Sequence, residues 1–99
     1  MPDEMFALKV PDEVAAVLRK LHPTIKSHIR SGLRTVIQNP SCGKSLRDEL
    51  QGLRSCRVKR YRIIYRIDRE KRCLEIIAIG PRRIIYEETF RILNQENKK

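Results

Sequence analysis

Tryptophan is absent from this chain, and only five of its 99 residues are aromatic. Any core must therefore be aliphatic, built from Ile, Leu and Val. Cysteine is scarce as well: three residues, at 42, 56 and 73, an odd number with no CxxC or Cys/His spacing. That pattern argues against a disulfide framework or a zinc site. No apolar run approaches about 18 residues, so no membrane-spanning helix and no membrane partner are expected. The opening MPDEMF is acidic and lacks the apolar stretch of a secretory signal. The expectation is a cytoplasmic protein with reduced thiols. Asp and Glu form no cluster, and neither a metal nor another cofactor is called for.

What is present is an ordinary apolar content of 40%, too high for a disordered chain. The length fits one domain over residues 1–99. The net charge is +10, and it is unevenly placed. Residues 54–83 hold eleven basic and three acidic side chains, so thirty residues carry +8 of it. A local field of that strength favours a polyanionic partner.

Along the chain, residues 5–10 (MFALKV) read as a short strand. Pro11, Asp12 and Glu13 open a helix, with acids near its positive end. Val14, Val17, Leu18 and Leu21 make its buried stripe. A second helix starts near Pro23, with Ile25, Ile29, Leu33, Val36 and Ile37 as its apolar stripe, and stops at Asn39-Pro40. Residues 40–52 read as a loop with a helical turn near 46–50, pinned by Leu46, Leu50 and Leu53. Strands at about 54–59, 61–68 and 72–80 follow, joined at Lys59-Arg60 and at DREKR. Connections this short make an antiparallel meander. A last helix begins near residue 87, and the tail NQENKK is expected to fray.

The fold class is therefore α+β in the order β-α-α-β-β-β-α: an antiparallel sheet with a helical hairpin on one face and an open basic face. Side chains alternate along a strand. In RVKRYRIIYRI, Tyr61, Ile63, Tyr65 and Ile67 point one way, while Arg62, Ile64 and Arg66 point the other. Unpaired guanidinium groups are too costly to bury beneath helices. Arg62 and Arg66 thus belong on the open face, with Arg54, Arg57, Lys59, Arg82, Arg83 and Tyr86 near it.

Arginine offers a planar fork of donors that suits phosphate oxygens. Several around one phosphate stabilise the charge that develops in phosphoryl transfer. Arginine is a poor proton carrier, so a second group must handle protons, and Tyr86 is the candidate. RNA brings its own nucleophile, the 2′-hydroxyl. These residues permit metal-free RNA cleavage and equally permit plain nucleic-acid binding.

GLRSCRVKRYRIIYRI followed by EIIAIGPRRIIYEE resembles the RelE/ParE family of type II toxin–antitoxin toxins. The ordered set is Gly43-Lys44, Gly52-Leu53, Arg57, Tyr61-Arg62, Tyr65, Ile79-Gly80, Arg82 and Tyr86, within a likeness spanning about residues 5–93. The resemblance implies a microbial-RNase-like fold and a cognate antitoxin that wraps the toxin. In the RelE branch it implies a ribosome-dependent mRNA endonuclease, with ribosome and mRNA as partners. There the 2′-hydroxyl attacks the neighbouring phosphate, leaving a cyclic phosphate and a 5′-hydroxyl. By resemblance Arg62 would hold the scissile phosphate, and Arg82 would act as acid or charge stabiliser. Tyr86 would stack on a base or assist proton transfer, and Arg57 would fill a basic catalytic position. Arg54, Lys59, Arg60, Arg66 and Arg83 complete the expected RNA-binding surface. A second basic position of the best-known RelE toxins falls near Ser55 here, with Lys59 as the nearest substitute. The ParE branch shares the fold and poisons DNA gyrase instead. A gyrase inhibitor and a non-catalytic basic RNA-binding module are the alternatives.

Overall fold

The computed structural model describes residues 6–97. Met5, the first residue of the expected opening strand, and Lys98 and Lys99 of the tail lie outside the described residues. Strand β1 (Ala7–Lys9) leads into α1 (Asp12–Lys20) and α2 (Pro23–Gln38). A two-residue strand β2 (Lys44–Ser45) and a 3₁₀ turn (Asp48–Leu50) precede the meander β3 (Arg54–Val58), β4 (Tyr61–Asp68) and β5 (Cys73–Pro81). Helix α3 (Ile85–Asn97) follows. It starts two residues earlier than the sequence predicts and continues through most of the tail expected to fray.

Local chemistry accounts for the helix ends. Asp12 and Glu13 sit in the first turn of α1, and Arg19 and Lys20 in its last, each complementing the helix dipole. Pro23 occupies the first turn of α2, where a missing N–H costs nothing. His22 caps that helix, its Nδ1 accepting from the Thr24 N–H at 3.1 Å.

The sheet order is β1-β5-β4-β3-β2. The meander is antiparallel, β2 pairs antiparallel with β3, and β1 joins parallel to β5. The helical hairpin starts from one edge strand and returns to the other side of the sheet. It covers one face on the way, α1 against β5 and α2 against β3 and β4. Val14, Ile29, Val36, Ile63, Tyr65, Leu74, Ile76 and Ile79 form the core there.

A register shift between Ile64 and Tyr65 sets Ile64 opposite Ala78 and Tyr65 opposite Ile76. Ile77 is thereby the extra residue of a β-bulge. As a result Ile76 packs beneath the hairpin while Ile77 and Ala78 pack on the opposite face. The uninterrupted apolar run of β5 is explained by cover on both sides. The cover on the second face corrects one expectation. That face is not wholly open, because Ile85, Ile92 and Leu93 of α3 pack across it with Leu46, Leu50 and Leu53. An apolar helix stripe needs burial as much as the sheet does. Only the end nearest the β3–β4 turn keeps the basic character expected of the whole face.

Candidate functional site

Alternation along β3 and β4 builds the site. Arg57 lies directly opposite Arg62, and Ser55 opposite Ile64. Arg62 has Gly80 of β5 on its other side. At Gly80 a Cβ would stand 3.0 Å from Ile85 Cδ1. The missing side chain lets the start of α3 close onto the sheet, and this brings Tyr86 over Ser55. The Ser55 Oγ and Tyr86 Oη are 3.2 Å apart. Arg62 Nη1 donates to the same Ser55 Oγ at 3.1 Å.

Two like charges set opposite one another on a ladder oppose pairing by up to about 1 kcal/mol. No carboxylate among the described residues neutralises Arg57 or Arg62. Arg57 Nε reaches only the Lys59 carbonyl, at 3.4 Å. Arg62 Nε is buried with no hydrogen-bond partner, at a cost of roughly 1–3 kcal/mol for a shielded donor. A half-buried guanidinium without a carboxylate partner, an opposed cation and a phenol one hydroxyl away suit an anion with several oxygens.

The other predicted residues are spread around the site and beyond it. Arg82, Arg60 and Lys59 surround the strand ends beside the site. The Arg82 N–H donates to the Arg60 carbonyl at 2.9 Å, and Arg82 follows Gly80, the partner of Arg62, by two residues. Lys59 holds the hairpin turn with φ 57°. Arg83 is exposed in the turn before α3. Arg66 stands farther along β4 and is paired with Glu75 at 2.9 Å, so it offers no free cation. Arg54 is not on this face at all. Alternation turns it with Cys56 and Val58, and its Nη1 donates to the Gly43 carbonyl at 2.7 Å and the Ser41 carbonyl at 3.4 Å.

Burial shifts two groups, both belonging to the hairpin side. Tyr65 is pushed up to about 12 by desolvation, and Cys56 to about 11 by the same cause. Among the described residues, no group of three or more His, Cys, Asp and Glu side chains is placed to hold a metal ion. Ser55 enters the sequence reading only as the place of a missing basic group and not as a site residue, yet it joins Arg62 to Tyr86. Its signal was its place two residues before Arg57, on the same face of the same strand.

A family profile described as ParE toxin of type II toxin-antitoxin system, parDE, matches residues 9–86. The chain belongs to the RelE/ParE family of type II toxins. A search of curated proteins finds no match. Among solved structures, the toxin–antitoxin complex RelBE2 from Mycobacterium tuberculosis has a chain 30% identical to this toxin, with a TM-score of 0.72. The match covers 79% of this toxin and 99% of that chain. A mutant of the E. coli toxin RelE in the free state matches with a TM-score of 0.75 at 19% identity, over 93% of this toxin and 97% of that chain. The archaeal RelE–RelB complex from Pyrococcus horikoshii matches at 0.64 and 18% identity, over 79% and 96%. The last two show the fold alone, and that fold is the α+β arrangement described above.

Proposed function

We propose that this toxin is a ribosome-dependent mRNA endonuclease that stops translation by metal-free attack of the RNA 2′-hydroxyl on the adjacent phosphate. The observation that carries the reading is Arg62: half-buried, without a carboxylate partner, opposed by Arg57, and joined through Ser55 to Tyr86. In this reading the two arginines hold the non-bridging oxygens and stabilise the extra negative charge of the pentacoordinate state. As the new O2′–P bond forms and the P–O5′ bond breaks, the Tyr86 hydroxyl protonates the leaving oxygen, and water takes the 2′ proton. The Tyr86 oxygen is tied to Ser55 and its ring packs with the α3 cluster, which favours proton transfer over base stacking. Arg82, Arg60, Lys59 and Arg83 supply positive charge along the approach, and the ribosome aligns the message.

The partner that silences the toxin is an antitoxin, as in the complexes of its structural relatives. An apolar groove of about 630 Å³ runs between α1, β5 and α3. Val17 and Ile84, both more than 40% exposed, line it. β1 reaches only as far as Glu75 in the β5 register, leaving the edge of β5 beyond it unpaired by β1. An extended apolar antitoxin segment fits that edge by strand addition.

Expression without antitoxin, followed by mapping of mRNA 5′ ends, tests the activity. New ends inside codons are expected, and they disappear in Arg62→Ala. The family profile that matches is ParE, and this favours a second reading, gyrase poisoning. DNA breaks with intact mRNA would establish that reading in place of the first.

A further inference from the structure

Ser55 stands where the resemblance leads one to expect a second basic group, and the strand fills the place with a hydroxyl only 2% exposed. A guanidinium has donors and no acceptor, so the contact at 3.1 Å runs from Arg62 Nη1 to Ser55 Oγ. The hydroxyl keeps one proton and one lone pair for Tyr86 Oη at 3.2 Å. It can give or receive that bond without moving a heavy atom. Arg62 Nε is buried without a partner, so an anion meets this half-buried side chain at its Nη end, whose orientation the Ser55 bond fixes.

We propose that Ser55 is a positioning residue that locks Arg62 and Tyr86 into one unit. It holds the Nη end of the guanidinium toward the non-bridging oxygens of the scissile phosphate and the phenol toward the departing oxygen. This rests on the ribonuclease reading for its catalytic consequence, while the lock itself belongs to the free toxin. It also makes a choice that the resemblance alone would reverse. A lysine at position 55 cannot accept from Arg62, and it adds a third cation beside Arg57 and Arg62. Restoring a basic group there therefore harms the site.

Purified Ser55→Ala, Ser55→Thr and Ser55→Lys toxins on programmed ribosomes give the test, with thermal unfolding as the check on folding. Loss of one charge-assisted bond lowers kcat by about 10- to 100-fold in Ser55→Ala, with KM within about twofold. Ser55→Thr keeps the hydroxyl and recovers most of the rate. Ser55→Lys gains nothing over Ser55→Ala. Wild-type kcat in Ser55→Ala, a loss confined to KM, or a Ser55→Lys rate above wild type overturns the inference. If the wild type cuts no mRNA, the ribonuclease reading is what fails. The lock is then judged in the free protein from the guanidinium NMR signals of Arg62, separate in the wild type and averaged by faster rotation in Ser55→Ala. Identical signals in both would overturn it.

Discussion

The two faces of β4 differ in how completely their polar groups are satisfied. On the face beneath the helical hairpin, Tyr65 is fully buried. Its hydroxyl donates to the Pro40 carbonyl at 2.6 Å and accepts from the Gly43 N–H at 3.0 Å. Gly43 is glycine for a packing reason: a Cβ there would stand 2.5 Å from the Tyr65 oxygen. Three residues earlier on the other face, Arg62 uses one donor on Ser55 and leaves Nε without a partner. Buried polar groups are normally paired. A strand whose buried phenol is bonded twice on one side, and whose arginine has an unmet donor and no carboxylate partner on the other, separates stability from binding.

The sharpest way to break this comparison is to cut the closed face. Ile63 is fully buried beneath the hairpin, and Ile63→Ala should cost about 2–5 kcal/mol of stability, read from urea unfolding. Cutting the other face should cost function instead. Arg62→Ala should lower mRNA cleavage by about 100- to 1000-fold and leave the unfolding midpoint near that of the wild type. A large loss of stability in Arg62→Ala with unchanged cleavage per folded molecule would reverse the assignment of the two faces.

The tyrosines sharpen the contrast at a smaller scale. Tyr65→Phe strips Gly43 and Pro40 of their partner and should cost about 1–3 kcal/mol, while Tyr86→Phe should leave stability almost unchanged and slow cleavage. Alkaline titration separates them further. Folding favours the neutral Tyr65 phenol, whose pKa moves from 10.0 to about 12. Its contribution is complete below pH 10 and fades as the pH rises toward 12. Cys56, moved from 9.0 to about 11, fades in the window just below. Urea midpoints across that range should fall in the wild type, and Tyr65→Phe should remove the upper part of the fall. The least effect belongs to Arg66→Ala. Its pair with Glu75 is partly exposed, and pairs near the surface contribute about 0–1 kcal/mol. Cleavage should barely change.

Much of this arrangement was legible beforehand because it follows local periodicities. The stripe of Ile25, Ile29, Leu33, Val36 and Ile37 placed α2, and the alternation from Tyr61 to Ile67 separated the two faces. The same alternation, carried back into β3, pairs Arg54 with Tyr65 and turns it to the hairpin side. The sequence reading sets Arg66 in the RNA-binding surface, and its pairing with Glu75, nine residues away on another strand, is not a local pattern. Ser55 shares the face of Arg57, but the hydroxyl bridge to Tyr86 spans 31 residues and no local period shows it.

The sequence by itself determined the order of elements apart from the two-residue β2, which lies in the stretch it reads as a loop, the aliphatic core, the concentration of positive charge between residues 54 and 83, and the facing of each side chain within β4. These depend on neighbours a few positions apart, which helix and strand periods relate directly. Only the tertiary structure decided that β1 runs parallel to β5, that Ile77 is a bulge residue, and that α3 covers part of the second face. It alone brought Ser55, Arg62 and Tyr86 to one point. Those outcomes depend on register and on contacts between residues far apart in the chain, set by how three layers pack and not by any local period.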